Sequence, residues 1–288
     1  MPTVDASVRT SSGRRVAFAQ LGPEGGAPLF FFHGNPGSRL DWDDPVNGAI
    51  LDRLGIRLIG IDRPGYGQSE HQPGRCHQDW PGDVSAVADE LGLDQFGILA
   101  YSAGGPYAVA CALAVPERLT FVGIVSGVGP AETPGHRKGM PRAAVATIGL
   151  ARRTPAVARW MVKHMSPQRF SRRFERDLAP VDREIFRAPE ARQGLTKAFT
   201  EATRHGPQGL VEEMRLMGTP SGLDYTAVHC PIQLWHGDRD TFVPLRHAEH
   251  VVSLLPNANL EVLPGVGHLH RPEDWERFLE TARRSAGW

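Results

Sequence analysis

The chain has 288 residues, 32 basic and 32 acidic side chains, and a formal net charge of zero. Hydrophobic residues make up 41% and charged residues 22%, which excludes disordered, collagen-like and coiled-coil classes. The charge balance also argues against a general nucleic-acid binder, which carries a marked basic excess.

At about 150 residues per domain the length suggests two domains, but α/β folds run to about 250 residues in one. The three cysteines, Cys76, Cys111 and Cys230, are odd in number, far apart and without C-x-x-C spacing, so neither a disulfide framework nor a zinc ribbon is expected. Cys111 lies in the apolar stretch AVACALAV and reads as a small buried hydrophobe. The segment MPTVDASVRTSSGRR lacks the apolar core of a signal peptide. No apolar run approaches the roughly 18–20 residues of a membrane helix. A cytoplasmic location without a membrane span is the expectation.

Along the chain, SVRTSSGRRVAFAQLG from residue 7 predicts a hairpin turned at Ser12-Gly13. Pro28-Leu29-Phe30-Phe31-Phe32 is a continuous apolar run. It is too short for a helix and apolar on both faces, as in strands buried in a parallel sheet. The same form recurs at Ile56–Ile61, 96–99, Leu119–Val125, 232–235 and 260–263. Helical stretches alternate with these runs: 83–91 with Gly92 as its stop, the Ala-rich 103–115, 245–255 and 272–286. The last opens on Pro272, with Glu273 and Asp274 near its positive end. Strand–helix alternation over residues 28–127 and 231–286 predicts an open, mostly parallel sheet with helices on both faces.

Residues 129–228 differ, with no buried-strand run and helical segments at 143–153, 156–165, Pro167–Asp177 and 189–203. Ser166-Pro167 suits an N-cap and first turn, and Gly206 a stop. The prediction is one α/β domain, residues 1–128 and 229–288, interrupted by an all-helical insertion at 129–228.

Chemistry concentrates at three loops. Ala100-Tyr101-Ser102-Ala103-Gly104-Gly105 follows the run 96–99 and opens a helix. A nucleophile on such a strand-to-helix turn stands clear of the sheet, and its strained backbone needs small neighbours two residues either side. Ala100 and Gly104 meet that need. Serine also requires a base and a group to hold the base, supplied in this architecture by loops after later strands, acid before histidine. After 232–235 stands His236-Gly237-Asp238-Arg239-Asp240-Thr241-Phe242-Val243-Pro244, and after 260–263 stands Pro264-Gly265-Val266-Gly267-His268. Both loops leave the carboxyl ends of parallel strands, where α/β sheets place their sites.

With these motifs the chain resembles α/β-hydrolase-fold serine hydrolases with a helical cap, over nearly its whole length. His33-Gly34-Asn35-Pro36-Gly37 resembles the family's oxyanion loop, and Asp62-Arg63-Pro64-Gly65-Tyr66-Gly67-Gln68-Ser69 a mainly architectural turn. The resemblance implies Ser102 as nucleophile, His268 as general base and then acid, and Asp240 orienting His268. It implies an oxyanion hole from the backbone N–H groups of Asn35 and Ala103. Ala100 departs from the commoner glycine, which alanine still replaces in size. Asp240 is preferred to Asp238 because the family places the acid three residues after the glycine. His33 reads as holding backbone, and His270 as structural or surface, with pocket lining as the alternative. No residue cluster has metal-ligand spacing and no glycine-rich phosphate fingerprint opens a helix, so no cofactor and no metal are expected.

His-Gly-Asn-Pro also resembles the halide-binding loop of haloalkane dehalogenases, but these and epoxide hydrolases carry aspartate where Ser102 stands. The expectation is hydrolysis of a carboxylic ester or lactone through an acyl-enzyme. A C–C bond hydrolase, a cofactor-free haloperoxidase or perhydrolase on the same triad, and a non-catalytic ligand receptor are the alternatives. Tyr101, Phe242, Trp160 and Met161 are candidates for substrate contact. Met165, Phe170, Phe199, Met214 and Met217 are further cap residues for a largely apolar pocket. Residues 131–228 carry 17 basic and 10 acidic side chains, and the remainder 15 and 22. A basic cap is thus expected to attract an anionic substrate, a carrier-borne acyl group or an anionic surface. No nucleic-acid partner is expected, and monomer and homodimer both remain open.

Overall fold

The structure, a computed structural model, describes residues 4–288. Eight strands form one sheet: β1 (Val4–Arg9), β2 (Arg15–Leu21), β3 (Ala27–Phe32), β4 (Ile56–Ile61), β5 (Phe96–Tyr101), β6 (Leu119–Val125), β7 (Ile232–Gly237) and β8 (Ala258–Leu263). Their order is β1-β2-β4-β3-β5-β6-β7-β8. The predicted hairpin is β1–β2, antiparallel with Arg9 opposite Arg15, and β2 runs antiparallel to β4. Every other pairing is parallel.

The sheet is covered on both faces, which is why its central strands are apolar throughout rather than alternating. Successive residues of β3 point to opposite sides. Phe30 and Phe32 join the core under α2 (Trp80–Glu90), α3 (Gly105–Ala114) and α10 (Arg246–Leu254). Leu29 and Phe31 join the core under α1 (Pro45–Leu54) and α11 (Pro272–Ser285). Cys111 is fully buried in the first core, and all three cysteines are free.

Two expectations change. The run 260–263 is an edge strand rather than a doubly buried one: Val262 is 41% exposed, and Asn259 and Glu261 face solvent. Only one neighbour, β7, covers it. The apolar pattern also named no element for residues 45–54, yet α1 forms there. Its signals are caps rather than periodicity. The Asp44 carboxylate accepts the N–H groups of Val46 and Asn47 at 2.9 and 3.0 Å, and Gly55 ends the helix at φ 63°.

Between β6 and β7 the chain contains no strand. It forms α4 (Arg142–Arg153), α5 (Pro155–Lys163), α6 (Pro167–Asp177), α7 (Pro180–Phe186), α8 (Pro189–Ala202) and α9 (Gln208–Met217). Proline opens α5, α6, α7 and α8. A proline fits the first turn but disfavours helix in the residue before it, so each one also stops the preceding helix. Ser166 caps α6 as expected, accepting the Arg169 N–H at 3.2 Å.

Where β5 turns into α3 the backbone is crowded. A Cβ on Gly104 would lie 2.4 Å from the Phe32 carbonyl oxygen, so the turn can approach β3 only with glycine there. Gly104→Ala is expected to cost about 1–3 kcal/mol through overpacking. Gly82→Ala, in α2 with nothing within 4 Å of its added Cβ, is expected to stabilise by a few tenths to about 1 kcal/mol. Urea unfolding of the two variants should show these opposite signs.

Candidate active site

Sheet register brings the three motif loops together. Phe32 pairs with Ala100, so the loops that begin at His33 and Tyr101 leave the sheet side by side. A Cβ on Gly34 would lie 3.5 Å from Ser102 Cβ. Gly237 pairs with Leu263, so the loops bearing Asp240 and His268 also emerge together. Ser102 stands on the turn at φ 54°, a left-handed conformation that costs a non-glycine residue about 1–3 kcal/mol. Its carbonyl accepts the Val128 N–H at 2.9 Å.

The three side chains form one hydrogen-bonded line. His268 Nε2 lies 3.0 Å from Ser102 Oγ, and His268 Nδ1 lies 2.7 Å from Asp240 Oδ2. A carboxylate only accepts, so Nδ1 carries the proton and Nε2 is left to accept from the Ser102 hydroxyl. The other oxygen of Asp240 accepts the Phe242 and Val243 N–H groups at 2.9 and 2.8 Å. Asp238 is exposed and binds the Gly265 N–H instead.

Burial alone would push the Asp240 carboxyl up. The charge and hydrogen bond of His268, with the neighbouring His236, more than offset this and hold it well below the usual carboxylate range. For His268 burial acts downward, but the charge and hydrogen bond of Asp240, aided by the charge of Asp182, raise its pKa above 6.5. The imidazole is therefore poised to take a proton near neutral pH.

The model of the alpha/beta hydrolase fold matches residues 27–270. This chain belongs to the α/β-hydrolase-fold family. Among curated relatives, a non-heme haloperoxidase of Rhodococcus erythropolis is 29% identical over 278 residues, 91% of this chain and 92% of that protein. Among solved structures, an esterase from Exiguobacterium antarcticum matches 99% of this chain and 100% of its own with a TM-score of 0.74 at 21% identity. A thermophilic esterase from Thermogutta terrifontis matches 98% and 97% with a TM-score of 0.72 at 23% identity.

Within this α/β-hydrolase fold, the expected substrate contacts divide. Tyr101 and Phe242 do flank the site, their rings 5.3 and 5.7 Å from that of His268. Tyr101 also donates its hydroxyl to the His268 carbonyl at 2.9 Å. Phe242 continues into Phe174 at 4.9 Å, and Phe170 stacks on Phe199 at 4.4 Å. Sequence reasoning missed Phe174, although Phe170 and Phe174 stand one helical turn apart. Trp160 and Met161 do not face the site: they are 63% and 37% exposed, and Trp160 stacks on His164. The inward side of α5 is Ala158 and Val162, packed against Ala151 and Val211, and this turns the two large side chains outward.

His33 and His270 are both buried and hydrogen-bonded outside the Ser102–His268–Asp240 line. His33 Nδ1–H donates to the Gly34 carbonyl at 2.8 Å and Nε2 accepts the Arg63 N–H at 3.4 Å. His270 lies 2.9 Å from Ser126 Oγ, and burial pushes its pKa down to about 3. Asp182, on α7, carried no sequence signal. Its carboxylate accepts the His268 and Leu269 N–H groups at 3.0 and 2.9 Å, from across the chain.

The loop at Gly34 is held by a buried ionic joint. Arg63 donates to the His33 and Gly34 carbonyls at 2.5 and 2.8 Å and to Glu213 of α9 at 3.0 Å. Arg75 and Tyr107 bond the same Glu213 oxygen at 2.8 and 2.9 Å. All three charged groups are at most 1% exposed. Glu213→Gln would leave two buried guanidiniums without a counter-charge and is expected to cost about 3–5 kcal/mol. Urea unfolding measures the loss.

Proposed function

We propose that the protein is a serine hydrolase that cleaves a carboxylic ester or lactone of a small, largely apolar substrate through an acyl-enzyme. The observation that carries this reading is the Ser102–His268–Asp240 line, 3.0 and 2.7 Å, at the carboxyl edge of the sheet. Ser102 is the nucleophile, with His268 Nε2 taking its proton as Oγ attacks the carbonyl carbon. Asp240 holds the tautomer and stabilises the imidazolium that forms. The Asn35 and Ala103 N–H groups receive the oxyanion, each worth about 3–4 kcal/mol of barrier. His268 then protonates the leaving alcohol, and water activated by the same imidazole releases the acid.

Residues 129–228 act as a cap on the core formed by 1–128 and 229–288. Ser102 is only 8% exposed, which supports a covered rather than an open site. The aromatic rings of Phe242, Phe174 and Phe170 supply the apolar wall. Asp182 is a positioning residue: it holds the backbone of His268 from the cap side and adds a negative charge that favours the imidazolium.

The haloperoxidase relative favours one second reading, attack of peroxide rather than water on the same acyl-enzyme. A chain-length and lactone screen run with and without hydrogen peroxide separates the two. Ester hydrolysis without peroxide supports the first; peracid formation without ester hydrolysis supports the second.

Ser102→Ala should lower phenyl-ester turnover by on the order of 10⁴–10⁶ while leaving the fold intact. Unchanged turnover would overturn the assignment.

The base works only when neutral, so kcat/KM should rise with pH through the His268 pKa, which lies above 6.5. Asp182→Asn removes a charge that raises that pKa and one of two backbone acceptors. It should shift the acid limb of kcat/KM to lower pH and cut kcat by about 10- to 100-fold. A merely structural role would leave the limb where it is.

A further inference from the structure

Helix α5 turns one side to solvent. Val157, Trp160 and Met161, at i, i+3 and i+4, are 47%, 63% and 37% exposed, three of the five large apolar side chains most open to solvent among the described residues. This stripe lies in an unusually charged stretch. Residues 142–174 contain eight basic side chains and no acidic one. Arg153, Arg159, Lys163 and Arg169 of this stretch are exposed, and none is paired with a carboxylate among the described residues. The buried cations nearer the catalytic loops are different in kind: Arg39, Arg63 and Arg75 are each matched by Asp or Glu.

From this juxtaposition we infer that α5 docks on an anionic lipid bilayer. A tryptophan with a neighbouring thioether and a β-branched side chain suits the boundary between headgroups and acyl chains. Basic side chains beside it reach the phosphates, extending their apolar stems along the surface. At nine residues, about 14 Å by helical rise, α5 lies in the interface. No helix among the described residues is long and apolar enough to cross a membrane, so the contact is peripheral.

Charge and apolar surface together disfavour the competing occupants. A second copy of this chain docked face to face would set two unpaired basic stretches against each other. A nucleic acid would satisfy the cations but leave Val157 and Met161 without a partner. An anionic bilayer satisfies both sets at once, and it gives the basic excess of residues 131–228 a surface to bind instead of a substrate charge.

The test is co-sedimentation of the full chain with phosphatidylcholine vesicles made with and without phosphatidylglycerol. Binding should require phosphatidylglycerol and weaken with added salt. Arg159→Gln and Lys163→Gln should each lower partitioning by about fivefold, the worth of one basic residue near such a surface. Trp160→Ala should lower it comparably, with the thermal unfolding midpoint unchanged because all three side chains are exposed. Equal binding to both vesicle types, or no loss in any variant, overturns the inference. So does a concentration-dependent dimer that Trp160→Ala dissociates, or binding of duplex DNA in place of vesicles. The readout is binding alone, so it stands or falls independently of the hydrolase reading.

Discussion

The close approach of α3 to the sheet is the constraint on which the rest of the structure depends. A Cβ at Gly104 would meet the Phe32 carbonyl at 2.4 Å, and one at Gly105 would lie 3.3 Å from both Gly127 Cα and Ile124 Cγ2. With glycine at these positions the helix starts flush against β3 and β6. Ser102, three residues before the helix, is held at φ 54°. Its hydroxyl is carried to the edge of the sheet, where His268 meets it. Strain of this kind persists only when the surroundings over-determine the backbone. Here packing on two strands and the Val128 hydrogen bond do so.

Buried charge supplies the second layer of order. Arg39 binds Asp62 at 2.8 Å and Glu201 of α8 at 2.6 Å, while Arg63 joins the Gly34 loop to Glu213 of α9. Asp182 of α7 reaches the His268 loop. Each of three loops around Ser102 is thus tied by a carboxylate on a helix between β6 and β7. Such joints resist gradual deformation, because breaking one strands an unpaired charge in a low-dielectric interior. A displaced helical segment would therefore disturb the reacting geometry along with the substrate pocket. The zero net charge of the chain conceals this arrangement. It is a cancellation between an acidic α/β part and a basic helical part, whose acidic residues include the three that anchor it.

Much of the fold was legible because it is written in local patterns. The runs at β3, β4, β5 and β6 are apolar on both faces, and Pro167 and Pro272 mark helix starts, whereas α7 and α9 were not among the expected helices. Helix α1 escaped a periodicity-based reading because its evidence lies in caps. Strand β8 was misjudged because a short apolar run does not say whether one neighbour or two will cover it. Trp160 and Met161 were assigned to the pocket by residue type. Which side of α5 turns inward is instead decided by Ala158 and Val162, small enough to pack against Ala151 and Val211.

The candidate site divides in the same way. Ser102, Asp240 and His268 are legible because each needs a special local setting, a small-residue elbow or a loop after a parallel strand, and such settings leave motifs. Asp182, Phe174 and Glu213 leave none. Their importance comes from contacts with residues 68 to 150 positions away, made only when the sheet register and the helical segment are both in place. The sequence by itself determined the architecture, the motif loops that carry Ser102, Asp240 and His268, and the uneven spread of charge. The tertiary structure alone decided which carboxylate holds the His268 backbone, which rings reach its imidazole, and which apolar face is left to solvent. Local propensity acts over a few neighbours, whereas these choices depend on which distant side chains compete for the same buried space.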